Sequence, residues 1–213
     1  MRFVRHFVPS VFAGMVMALG TATATFAGLG ALGILFGAFC VVAVQAFDLS
    51  LFTVRSAELY RHSSGVQRRF VKLCISVVGN LVGALLIGFA LGCATEITVL
   101  PLAFEESIEG ITALFLRAIL CGVLLFIAMH GYKRLSGGFS GSLLACFAFS
   151  AAELCGLHFA LTEVFRLAAS GTFSAGGAFG IVLILLGNIL GAILGAWLHS
   201  LRRDTEDGDK HKA

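Results

Sequence analysis

From Phe7 to Phe47 the chain carries no Asp, Glu, Lys, Arg or His. At ~1.5 Å per residue one helix of that length would reach about 60 Å, roughly twice a bilayer's hydrocarbon core, so the run predicts two crossings. The same reading along the rest of the chain predicts six spans, at 8–26, 29–50, 71–93, 111–131, 139–161 and 175–200. Thr21–Gly30, rich in Thr and Gly, predicts a tight turn between the first two. Arg2 and Arg5, the apolar run and an Ala-Thr-Ala sequence imitate a signal peptide. The run does not end there and further spans follow, which predicts an uncleaved first helix.

The polar interruptions recur. Gly79-Asn-Leu-Val-Gly-Ala-Leu-Leu86 returns as Gly187-Asn-Ile-Leu-Gly-Ala-Ile-Leu194, 108 residues later. At that offset Gly14 falls on Gly122, Gly30 on Gly138, Gly33 on Gly141, Phe39 on Phe147 and Gln45 on Glu153. Residues 7–93 and 111–200 thus read as two copies of a three-span unit. An odd number of spans forces the copies to insert in opposite senses, the inverted-repeat plan of channels and transporters. Gly79, Gly83, Gly187 and Gly191 form small-residue faces for close helix contact, and Asn80 and Asn188 need partners away from lipid. For Asn188 two readings stand, interhelical glue or an amide facing a pore.

Equivalent polar stretches interrupt the second and fifth spans. Gln45–Val54 mixes polar and apolar residues where a helix should leave the membrane, and Ser150–Phe159 places Glu153 and His158 deep in an apolar span. Broken helices at membrane depth survive only when packed in protein or lining a cavity, and ionisable residues there mark pathways. Glu153 reads as an acceptor for free backbone amides or as a proton carrier. His158 reads as an interhelical hydrogen-bond partner or as a proton donor to a passing anion, since imidazole titrates near neutral pH. Asp48 reads as a cap at the membrane boundary. His130 and His199, near span ends, read as polar tips reaching the interface.

Charge fixes the expected orientation. Of 15 Lys and Arg, all but Arg117 and Arg166 fall before span one, between spans two and three, between four and five, or after six. The opposite loops carry Glu96, Glu105, Glu106, Glu109 and Glu163. The positive-inside rule puts both termini in the cytoplasm, in a cytoplasmic (inner) membrane. Composition agrees: 58% hydrophobic, 13% charged and net charge +3 exclude a soluble enzyme, a disordered chain and a nucleic-acid binder. Cys40, Cys74, Cys93, Cys121, Cys146 and Cys155 lack metal-ligand spacing and read as buried apolar fillers. No nucleophile–base pair, phosphate loop or metal cluster stands out, so neither enzyme chemistry nor a cofactor or metal is expected. The whole chain, 1–213, reads as one transmembrane domain with a short cytoplasmic tail from 201.

Leu51-Phe-Thr53, Gly79-Asn-Leu-Val-Gly-Ala84, Phe115-Leu-Arg-Ala-Ile-Leu-Cys121 and Gly187-Asn-Ile-Leu-Gly191, in that order on six spans, resemble the formate/nitrite transporter family over about residues 7–200. The resemblance implies an all-α, aquaporin-like protomer with helices 2 and 5 interrupted, in a homopentamer. Each protomer would have its own pore for formate, nitrite or a similar small monovalent anion, with two apolar constrictions. On that pattern Thr53 matches the loop threonine, flanked by Leu51 and Phe52, and Phe147 the span-five constriction. Phe36 or Phe39 matches the span-two constriction, and Asn188 the polar residue of span six. Arg117 would draw anions to a vestibule or anchor at the interface. The family's Phe-Glu-His of span five is only partly kept. Glu153 matches the Glu, but Leu154 stands at the His position, His158 falls where the family has Asn, and Gly122 replaces a span-four Asn. Leu154 leaves a second reading, a channel for a neutral solute or undissociated acid. A third is a non-transporting membrane subunit that retains the fold.

Overall fold

The computed structural model describes residues 2–26, 29–60, 65–95, 99–100, 102 and 105–210, without the side chains of 2 and 202–210. Arg61, Glu96, Lys212 and the side chains of Arg2, Arg202, Arg203 and Lys210, read above for orientation, lie outside that description. The described residues form α1 (Arg2–Phe26), α2 (Ala31–Gly37), α3 (Phe39–Ala46), α4 (Phe52–Tyr60), α5 (Val66–Ala94), α6 (Ile108–Arg134), α7 (Phe139–Leu154), α8 (Ala160–Ser170) and α9 (Ala175–Lys210). Four helices are long and apolar enough to cross a bilayer, Phe3–Phe26, Val66–Ala94, Ile108–Arg134 and Ala175–Leu201, and Ala31–Ala46 and Phe139–Leu154 are shorter apolar helices. Each of these two stops and is followed, after a five-residue loop (47–51 or 155–159), by a short helix, α4 or α8.

Two long pairs frame the molecule, and small residues set their spacing. α1 lies along α5: a Cβ on Gly79 would strike Ser10, one on Gly83 the backbone of Val11 and Met15, and one on Gly14 the backbone of Asn80. α6 lies along α9 in the same way, Gly187 against Ala118, Gly191 against the Ile119 backbone and Gly122 against the Asn188 backbone. Each contact in the first pair has its counterpart 108 residues on, so the repeat read from the octets is a repeat of packing. No larger residue fits at these glycines without moving the partner backbone.

Three readings need correction. Thr21–Phe26 is no turn but the last turns of α1; Thr21, Thr23 and Thr25 donate to the carbonyls of Met17, Leu19 and Thr21 at 3.2, 2.9 and 2.9 Å, which lets a helix carry them. The fifth span does not run to 161, because Gly156 turns the chain at φ 65°. Of the cysteines, Cys40 and Cys121 are buried fillers, whereas Cys74 and Cys93 are exposed on α5 and Cys155 is exposed in the 155–159 loop.

Candidate functional site

The loops that break the two middle helices are built alike, atom by atom. Phe47, Asp48 and Leu49 donate to the carbonyls of Ala43, Gln45 and Val44; Cys155, Gly156 and Leu157 donate to those of Ala151, Glu153 and Ala152. Asp48, at φ 48°, holds the left-handed conformation that Gly156 holds in the other copy. Asn80 fixes the first loop: its Oδ1 accepts from Phe52 N at 2.8 Å, and its Nδ2 donates to the carbonyls of Ser10 and Ser50 at 2.6 and 3.0 Å. Asn188 fixes the second, accepting from Ala160 N at 2.9 Å and donating to Ala118 and His158 at 2.8 and 2.9 Å. Both amides thus cap the first N–H of a half-helix and tie its loop to a long helix. The first N–H groups of any helix lack intrahelical partners and carry its positive dipole end. At the junction the rings of Phe52 and Phe159 stack at 5.8 Å, and Leu51, Phe52 and Phe159 are at most 1% exposed.

Polar chemistry beside the breaks is paired but inverted in sign. On α4, Arg55 donates to both oxygens of Glu58 at 3.1 and 3.0 Å and to Ser50 Oγ at 3.0 Å. The same positions on α8 hold Glu163 and Arg166, 3.4 Å apart, and Glu163 Oε1 meets His158 Nδ1 at 2.9 Å. Glu163 is 1% exposed and its Oε2 has no partner among the described residues. Glu153 accepts from Thr162 at 3.1 Å and lies 4.0 Å from Arg166, while Thr162 meets Thr21 at 3.2 Å. Two carboxylates, one guanidinium and one imidazole therefore share the α7–α8 corner. Its mate in the first copy is nearly neutral, with Gln45 donating to Met129 Sδ.

A cavity of about 290 Å³ opens between α4, α6 and α9, from Thr53 at its floor to Tyr60, Lys133 and His199. Thr53 is 1% exposed, and its Oγ1 has no hydrogen-bond partner among the described residues. A hydroxyl buried without a partner costs about 1–3 kcal/mol, and the adjoining cavity is where a water or a solute can supply one. Ala57 lines this cavity. The matching position in the other copy is Phe165, fully buried, and Leu161, also fully buried, stands where Thr53 does. Phe165 and Leu161 thus fill positions that Ala57 and Thr53 leave to the cavity.

The remaining candidates fall in two groups. Phe36, Phe39, Phe147 and Leu154 are 61, 47, 58 and 57% exposed. In α7 the buried residues are Gly141, Ala145, Ala148, Phe149, Ser150 and Ala152, mostly small, and Phe147 lies on the other side. The fully buried side chains where the two half-helices meet are Leu51, Phe52 and Phe159. Asn188 is fully buried with both N–H bonds committed to carbonyls, which corrects the reading of an amide free to face a solute. Arg117 is exposed on α6 between Leu116 and Leu120, 55 and 56% exposed, and does not line the cavity.

Glu163, Arg166, Thr162 and Thr21 were missed because each looks like an ordinary polar position; only the 108-residue mapping onto Arg55 and Glu58 could have flagged the first two. The two histidines read as interface tips instead face each other: His130 Nε2 lies 3.1 Å from His199 Nε2.

No protein-family profile matches the chain, and no curated protein matches it. Solved structures do. An FNT family ion channel aligns at TM-score 0.72 and 18% identity, covering 92% of this chain and 89% of its own. A pentameric formate channel with formate bound aligns at TM-score 0.65 and 15% identity, covering 93% and 94%. The chain has the all-helical formate/nitrite transporter fold.

Proposed function

We propose that this chain is a multi-pass membrane channel for small monovalent weak-acid anions such as formate or nitrite. It acts as a single transmembrane unit, with both termini in the cytoplasm. The observation that carries the reading is the unpartnered Thr53 hydroxyl, one residue inside the N-terminus of α4, at the floor of a cavity. Helix N-termini favour anions, and a hydroxyl there supplies a neutral donor where a fixed charge would bind too tightly to release. The positive-inside charge pattern supports placing the cavity on the cytoplasmic side. Leu51, Phe52 and Phe159 serve as the apolar seal between that cavity and the outer half.

The pentamer and formate named for one structural neighbour support a homo-oligomer that carries a small anion. The exposed Phe36, Phe39 and Phe147 supply apolar surface for lipid or for a second copy. A second reading, passage of the undissociated acid or another small neutral solute, is favoured by the Glu153–Glu163 corner. A weak acid that takes a proton at that corner crosses without the cost of a bare charge at membrane depth. His158, held by Glu163, is the group that would supply the proton in place of the histidine that Leu154 replaces.

Stopped-flow uptake into proteoliposomes, comparing wild type with Thr53→Val, tests the reading. Anion uptake that falls in the variant supports it. Equal uptake by both proteins, or none above empty vesicles, removes it.

A further inference from the structure

We propose that His130 and His199 form a binding site for a borderline transition-metal ion, Zn²⁺ or Co²⁺ in kind, at the mouth of the α4–α6–α9 cavity. Their Nε2 atoms are 3.1 Å apart with ring centroids at 4.5 Å. Two imidazoles on one tetrahedral metal, at metal–nitrogen distances of about 2.0–2.1 Å, hold their nitrogens about 3.3 Å apart, so little movement admits an ion. Phe126 stacks on His130 at 5.1 Å and 12°, fixing that ring's plane as a metal ligand requires.

Their repeat mates are Ala22 and Leu91, so two imidazoles stand where the other copy has apolar side chains, and they stand beside a cavity that α4 of the first copy shares with α6 and α9 of the second. Both rings line that cavity, and space beside them leaves room for water as the remaining ligands. Lys133 and Glu58 also border it: the ammonium opposes a dication, and the carboxylate, now on Arg55, offsets it.

The site needs neutral imidazoles, so protons compete with the metal as pH falls. Binding stands apart from the channel reading. Only its consequence, a plugged inner mouth, rests on that reading.

The test is Zn²⁺ titration of the full chain in detergent by calorimetry at pH 7.5 and 5.5, with X-ray absorption at the zinc edge. The proposal expects one Zn²⁺ per chain with two imidazole ligands, weakened at pH 5.5. His130→Ala/His199→Leu installs the residues found at the matching positions of the other copy, and its thermal midpoint in detergent checks that it folds. Its affinity should fall by at least the roughly 10-fold that an outer-shell change costs. His158→Ala should bind as wild type. Zn²⁺ binding that survives the double variant, or an absorption edge showing thiolate ligands from exposed cysteines, overturns the site, as does no binding at all. Bound Zn²⁺ that leaves proteoliposome uptake unchanged keeps the site and rejects the cavity as the path.

Discussion

Arg55 and Glu163 occupy the same position of the two repeats, each tied to the residue three places on and to the loop residue five places back, with opposite charge. The scaffold is therefore symmetric while its electrostatics are not: a cation stands beside the α4 break and an anion beside the α8 break. Arg55→Gln is expected to lower anion uptake and leave urea uptake unchanged, the difference shrinking as salt screens the charge. Uptake traces at low and high ionic strength check this.

The cavity depends on Ala57. Ala57→Phe copies Phe165 into the cavity and is expected to cut uptake at least roughly tenfold, the equivalent of ~1.4 kcal/mol on a barrier. The cavity has room for the ring, so the thermal midpoint of the variant should stay near wild type. A midpoint drop matching the ~1–3 kcal/mol of overpacking would show that the space is not open.

Asn80 and Asn188 carry the two breaks. Replacing either by Ala orphans a buried N–H and two carbonyls, and at about 1–3 kcal/mol per group the loss should reach roughly 3 kcal/mol or more. Thermal unfolding in detergent measures it. Near-equal losses for Asn80→Ala and Asn188→Ala are expected from their matched bonds; a harmless Asn188→Ala would mean the loop does not depend on its amide.

His158 gives a pH test. If it delivers a proton, His158→Ala and His158→Asn both flatten the rise of uptake as pH falls. Uptake with an unaltered pH profile in both variants eliminates it as the donor. Glu163→Gln separates positioning from donation, since it removes the charge that holds the ring and keeps the ring itself.

Much of the scaffold was legible in the sequence because packing and loop geometry repeat with it. The paired Gly-Asn-x-x-Gly-Ala octets carry both the close helix contacts and the two capping amides, and polar residues at 45–54 and 150–159 marked the breaks. Side-chain direction was less legible. Phe147 invites a constriction by type, yet α7 packs through mostly small residues, among them Gly141, Ala145 and Ala148, and Phe147 lies on the other side. His130 and His199 lie 69 residues apart on parallel helices, and neither one's sequence neighbours reveal the meeting. Thr21–Phe26 looked like a turn because β-branched and small residues weaken helix propensity, and bonds back to preceding carbonyls overrode it.

The most direct test of the central claim, a solute path from the inner cavity past Thr53, is stopped-flow uptake of formate, nitrite, hydrosulfide and urea into proteoliposomes from pH 5 to 8, with wild type beside Ala57→Phe. The account predicts pH-dependent uptake of the weak acids by wild type that Ala57→Phe abolishes. Equal uptake by both proteins, or by wild type and empty vesicles, would contradict it.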